Sequence, residues 1–158
     1  MAIEVTVKKV EPMTVAFIPM KGPFNLISEA FGKLDAWIGE KGYVPSGPPA
    51  GIYFNDPGEV PAEELLWELQ SPIAGDIAPS SPDQRGVGVK KLDETEVASA
   101  LYKGPYEGLG TIYGELVNWI MGNGYEIAGA PSEVYVNDPG EIPPEELLTE
   151  VRFPVMKK

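Results

Sequence analysis

A chain of 158 residues that contains no histidine and no cysteine must do any proton chemistry with carboxyls and phenols. The Ser-His and Cys-His arrangements, a thiolate nucleophile, a disulfide and Cys- or His-ligated metal are all excluded by composition. The candidates that remain are Glu150 in Thr149-Glu150-Val151, Glu133 in Ser132-Glu133-Val134-Tyr135, Glu68, and the phenols of Tyr53, Tyr102 and Tyr135. A carboxylate among aromatic rings attracts cations and hydrogen-bond donors through charge and the ring faces. Desolvation there raises a glutamate above its reference value of about 4.3. It then serves as an acid, or as a base toward water. Glu150 is expected to be such a group; the competing reading is a strand glutamate paired with Arg152. The Asn-Asp-Pro-Gly-Glu runs at 55–59 and 137–141 lack the ligand spacing of a calcium loop. Lys21-Gly22-Pro23 and Lys103-Gly104-Pro105 lack the glycines of a phosphate loop. No metal and no cofactor is expected.

The elements that must position these residues come from a repeat. Shifted by 82 positions, Val5–Ile73 aligns with Val87–Val155 without a gap, and about 30 of the 69 positions are identical. Repeat 1 covers 3–73, a Pro/Ser/Gly-rich linker 74–85, and repeat 2 86–158, within one domain over 1–158. Each copy reads as short strands, a Gly-Pro turn, an amphipathic helix and two further strands. Leu26, Ile27, Ala30, Phe31, Leu34, Trp37 and Ile38 form the first helix stripe; Leu109, Ile112, Tyr113, Leu116, Trp119 and Ile120 form the second. Gly42 and Gly124 mark the helix ends. Trp37, Trp119 and Trp67 are core residues in this reading.

Strand alternation then assigns faces. Val151, Phe153, Val134, Val136, Ile52, Phe54, Trp67 and Leu69 are predicted toward the helices. Glu150, Arg152, Glu133, Tyr135, Tyr53, Glu68 and Gln70 are predicted on the opposite faces. Tyr102 alternates with Ala98 and Ala100, small neighbours that leave room beside a ring. The expected fold is α+β, a tandem strand-helix-strand-strand duplication. Its antiparallel sheets carry helices on the outer face, with a central ligand cleft at the pseudo-twofold lined by these residues.

The formal charge of −12 opposes direct nucleic-acid binding, which rests on Lys and Arg, and favours neutral or cationic ligands. No apolar run reaches membrane-spanning length and the N-terminus lacks a signal pattern, so no membrane association and a cytoplasmic location are expected.

Lys103-Gly104-Pro105-Tyr106, a helix ending in Trp119-Ile120, Gly124-Tyr125, Pro131-Ser132-Glu133-Val134-Tyr135-Val136-Asn137-Asp138-Pro139 and Thr149-Glu150-Val151-Arg152-Phe153-Pro154-Val155 together resemble the GyrI-like domain family. This family is also called the bacterial transcription activator effector-binding domain. The resemblance implies a tandem duplication around a ligand cleft, with roles as effector sensors, stand-alone binding proteins or gyrase inhibitors. It also implies that some members hydrolyse cyclopropane-bearing compounds with a cleft glutamate. By motif position Glu150 is carried over first, as the catalytic residue of any enzyme, and Glu133 second. The first repeat starts too near Met1 to leave space for a helix-turn-helix segment before it, so a DNA-binding activator is not expected. The leading expectation is binding of a small organic, aromatic, neutral or cationic molecule for sensing or sequestration. A hydrolase of strained electrophilic rings is the alternative. A protein-partner inhibitor such as a gyrase modulator, or a homodimer, stays open.

Overall fold

A computed structural model describes residues 4–55, 58–137 and 141–158, without the side chain of Glu107. The strands are β1 (Val5–Val10), β2 (Met13–Lys21), β3 (Ala50–Tyr53), β4 (Leu66–Pro72), β5 (Gly88–Leu92), β6 (Thr95–Lys103), β7 (Tyr125–Ile127), β8 (Ser132–Tyr135) and β9 (Leu148–Lys157). The helices are α1 (Ile27–Lys41) and α2 (Leu109–Gly122), each entered through a 3-10 turn, at Phe24–Leu26 and Tyr106–Gly108. The molecule is mixed α+β, and its strands pair antiparallel within each unit.

The chain forms two compact units, cut differently from the two sequence copies. Pro12–Asp93 is one; the residues up to Glu11 join Glu94–Lys158 in the other. In the first unit the strand order is β3-β4-β2-β5, and α1 buries Ala30, Leu34, Trp37 and Ile38 against Ala16, Ile18, Trp67 and Leu69. In the second the order is β1-β6-β9-β8, with β7 also on β9. There α2 buries Leu109, Ile112, Leu116 and Ile120 against Ala98, Ala100, Val151 and Phe153. The 3.6-residue stripe of each helix thus meets the two-residue alternation of its sheet. The initial strand β1 lies on β6, Val5 opposite Ala100. The initial strand of the second copy, β5, lies on β2, Val89 opposite Ala16.

Gly42 ends α1 in the left-handed region (φ 74°), and Tyr43 N–H returns to the Ile38 carbonyl at 3.1 Å. α2 stops one residue sooner, at an Asn123 cap, with Gly124 (φ 82°) following. The turns expected at Asp56-Pro57 and Asp138-Pro139-Gly140 lie outside the described residues. The asparagine opening each run clamps the next strand: Asn55 Oδ1 accepts from Leu66 N–H at 2.7 Å and Asn137 Oδ1 from Leu148 N–H at 2.9 Å. The segment 74–85 is tied down within the first unit. Ser80 pairs with Val89, and Asp83 accepts from the Trp37 indole at 2.8 Å. That bond, with the backbone N–H groups of Arg85 and Val87, holds the Asp83 carboxyl below its usual range despite some desolvation.

Candidate functional site

Residues directly opposite one another in an antiparallel ladder share a face, and this rule corrects part of the alternation. Glu133 lies opposite Val151 and Tyr135 opposite Thr149. Tyr53 lies opposite Trp67, and Ile52 opposite Glu68. Glu133, Tyr135 and Tyr53 therefore stand on the helix side of their sheets, and Val134 and Ile52 on the other. Phe54 and Val136, expected toward the helices, are 54% and 44% exposed. Tyr102, opposite Thr149, joins the helix-side group.

The expected site residues consequently separate. Glu68 is buried on the helix-free face of the first unit, where Lys90 Nζ lies at 2.6 Å and the Gln70 amide donates to it at 2.7 Å. Lys90 also sits over the Phe17 ring, 4.4 Å from its centroid. In the second unit Glu150 is similarly held, by Lys8 at 2.9 Å and Arg152 Nε at 2.6 Å. Lys8 and Lys90, Glu68 and Glu150, and Gln70 and Arg152 are aligned pairs under the shift of 82. Burial raises the Glu150 carboxyl, but the hydrogen bonds and charges of Arg152 and Lys8 overcome it and hold the group below its ordinary range. The expectation of a raised Glu150 is thereby reversed. Tyr53 packs edge-on against Phe24 at 5.2 Å, part of the core under α1.

A different cluster assembles beneath α2. Tyr113, on the inner face of the helix, donates its hydroxyl to Glu133 Oε2 at 2.6 Å, and Tyr135 donates to Oε1 at 2.9 Å. Burial nevertheless pushes the Glu133 carboxyl above its usual range, outweighing the two phenols. Tyr106, from the turn before α2, sets its ring edge-on to Tyr135 at 5.8 Å. Tyr102 packs into the same core, its hydroxyl donating to the Pro105 carbonyl at 2.9 Å. Between Tyr102 and Tyr135 lies Thr149, fully buried. Its Oγ1 finds no hydrogen-bond partner among the described residues, a situation that costs about 1–3 kcal/mol.

The arrangement is a partly desolvated carboxyl with two phenolic donors, a ring at its rim and an unsatisfied hydroxyl beside it. It can accept a hydrogen bond from a cation or N–H, stack a flat ring, or exchange a proton with a bound molecule. Among the described residues no group of three carboxylates gathers to hold a metal ion, and no helix is long and apolar enough to cross a membrane. Sequence reasoning passed over Tyr113, Tyr106 and Thr149 as site residues. The signal lay in the differences between the copies. Tyr113 aligns with Phe31, Glu133 with Gly51 and Thr149 with Trp67, and each change brings a polar group to the same place.

Comparison with known proteins agrees with this architecture. No curated protein sequence matches the chain. EcmrR in its complex with DNA superposes with a TM-score of 0.84 at 18% identity, over 98% of this chain and 58% of EcmrR. The chain thus spans little more than half the length of EcmrR. The isolated EcmrR C-terminal domain superposes with a TM-score of 0.80 at 21% identity, covering 100% of both chains. A hydrolase from Listeria innocua gives 0.73 at 16% identity over 98% of this chain and 93% of its own. SAV2435 bound to tetraphenylphosphonium gives 0.58 at 12% identity, over 98% and 94%. The sequence model of the GyrI-like small molecule binding domain matches residues 3–156, and the chain belongs to that family.

Proposed function

We propose that the chain binds a small aromatic molecule, neutral or cationic, at Glu133, for sensing or sequestration. The observation that carries this reading is the half-buried Glu133 carboxyl, held at 2.6 and 2.9 Å by Tyr113 and Tyr135 and bordered by Tyr106. Tyr102 belongs to the wall. A carboxyl kept from water at a cost is stabilised by a ligand that brings it a positive charge or a donor, and the rings supply apolar contact. Glu150 and Glu68 already hold cations of the chain itself and serve the ladder in this reading. The aromatic cation bound by the structural neighbour SAV2435 suits the same chemistry.

The test is thermal unfolding and calorimetry with ethidium and tetraphenylphosphonium. A ligand at one hundred times its Kd adds about 2.7 kcal/mol of stability. Glu133→Gln is expected to weaken the cations about tenfold or more. Unchanged affinity in that variant would remove Glu133 from the site.

The raised Glu133 carboxyl also favours a second reading, hydrolysis of a strained electrophilic ring; one structural neighbour is a hydrolase. Water oxygen bonds to a cyclopropane carbon, and the C–C bond breaks with its electron pair moving to the carbon beside an acceptor group. One proton leaves the water and one reaches that carbon. Glu133 is the residue placed to carry it. Turnover of such a compound by the wild type, lost in Glu133→Gln, separates enzyme from binder.

A further inference from the structure

We propose that the ligand's ring occupies, in the unit of Glu94–Lys158, the place that the Trp67 indole holds in the unit of Pro12–Asp93. The ligand is then a planar bicyclic aromatic with a ring N–H, seated over Thr149 with a cationic arm toward Glu133. The inference rests on the Glu133 reading and names its ligand class.

The two units build the same frame around these positions. Trp67 stands between Met20 and Tyr53 in the ladder, and Thr149 between Tyr102 and Tyr135. Gly22 N–H reaches the Leu65 carbonyl at 2.9 Å, and Gly104 N–H the Leu147 carbonyl at 2.8 Å. Phe24, edge-on to Trp67 at 6.1 Å, aligns with Tyr106. Inside the first frame the indole is 1% exposed and donates Nε1–H to the Gly22 carbonyl at 2.9 Å. The second frame has a threonine there, with its buried hydroxyl unpartnered among the described residues.

The enlarged Tyr102 does not stand in for the indole. Its hydroxyl lies over Gly108, where a Cβ would come within 2.0 Å of it, and Gly108 aligns with Leu26. Tyr102 thus takes the space of the Met20–Leu26 pair. One copy carries its aromatic plug covalently; the other has the frame with Glu133 beside it but Thr149 fully covered, so the ligand's ring reaches it by displacing the neighbouring tyrosine rings. Tyr106, 37% exposed, is the ring an entering ligand meets first.

Calorimetry with tryptamine, 1-methyltryptamine and benzylamine on the whole chain tests this. The wild type is expected to bind tryptamine about tenfold more tightly than benzylamine, and more tightly than the N-methylated ring. Thr149→Trp should restore the plug, lowering tryptamine affinity about tenfold or more at an unchanged or higher Tm. Thr149→Leu, a smaller filling, should give an intermediate loss and keeps the test decisive if the tryptophan variant fails to fold. Wild-type affinity in a folded Thr149→Trp or Thr149→Leu protein overturns the inference. So does equal binding of the three amines. Should ethidium or tetraphenylphosphonium bind in a Glu133-dependent way while tryptamine does not, the inference falls and the Glu133 reading stands. Should no aromatic cation bind the wild type at all, the Glu133 reading itself falls.

Discussion

Glu133 and Glu150 lie one position apart in the same ladder and on opposite faces, since Glu133 is opposite Val151, yet their protons respond oppositely to folding. Burial raises Glu133 against the donations of Tyr113 and Tyr135. Arg152 and Lys8 lower Glu150 against its own burial. For Glu133 the folded state holds the proton more tightly, so its contribution to stability falls as pH rises from the reference value of about 4.3 toward the raised folded value. Glu133→Gln is therefore expected to raise Tm near pH 7 and to lose that advantage toward pH 4. For Glu150 the unfolded state binds the proton more tightly. Its stabilisation is present above the ordinary carboxylate range and is lost as pH falls through the lowered folded value. Glu150→Gln should lower Tm near neutrality and match the wild type in acid. Unfolding followed from pH 3.5 to 8 (a range of about four to five units around the reference) checks both, and slopes of the same sign for the two variants would contradict the assignment.

At the scale of the element, the turn before α2 and strand β6 fit each other through Gly108 and Tyr102. Gly108 has an ordinary helical φ of −86°, so backbone conformation does not demand glycine there; the Tyr102 hydroxyl does. Gly108→Ala is expected to cost about 1–3 kcal/mol by overpacking. In a Tyr102→Met background, which restores the residue type of the aligned position, the same change should cost much less. A double-mutant cycle in urea measures the coupling; strict additivity would show that the ring yields freely. The helices were legible in the sequence because four apolar positions at helical spacing outweigh any local ambiguity, and the Gly42 stop because a left-handed cap favours one residue type. The faces of β3 and β8 were not. Each strand has four residues, and the apolar pair Val134 and Val136 pointed away from the register. Val134 is itself 7% exposed although it faces away from α2, so burial on both sides erases the alternation on which a short strand depends. Only the ladder, with Glu133 opposite Val151, resolves the face. The site was half-legible for the same reason. Glu133, Tyr135 and Tyr102 were singled out, but of the rings that complete the cluster Tyr113 read as part of the helix stripe and Tyr106 as part of the turn before it.

At the scale of the whole molecule, the chain gives its first strand to the unit made by its last 65 residues, Glu94–Lys158. Val5 and Val7 pack against the core that contains Ala98, Ala100, Val151 and Phe153, and β1 covers the edge that β6 would otherwise present. The first-unit core of Ala16, Leu34, Trp67 and Leu69 takes Val87 and Val89 instead. Each compact unit thus depends on a strand from the other sequence copy, and damage to β1 should be felt far along the sequence rather than next to it. Replacing Val5 and Val7 by aspartate sets two charges against an apolar core, a change expected to cost about 2 kcal/mol or more. Hydrogen exchange read by mass spectrometry should then show lost protection in β6, β9 and α2, while β2, β4 and α1 keep theirs. Because Glu133, Tyr113 and Thr149 all belong to the unit that β1 completes, the same variant should lose aromatic-cation binding before the chain unfolds as a whole. Loss of protection beginning in β2 and β4 would instead mean that stability follows the sequence copies and not the compact units.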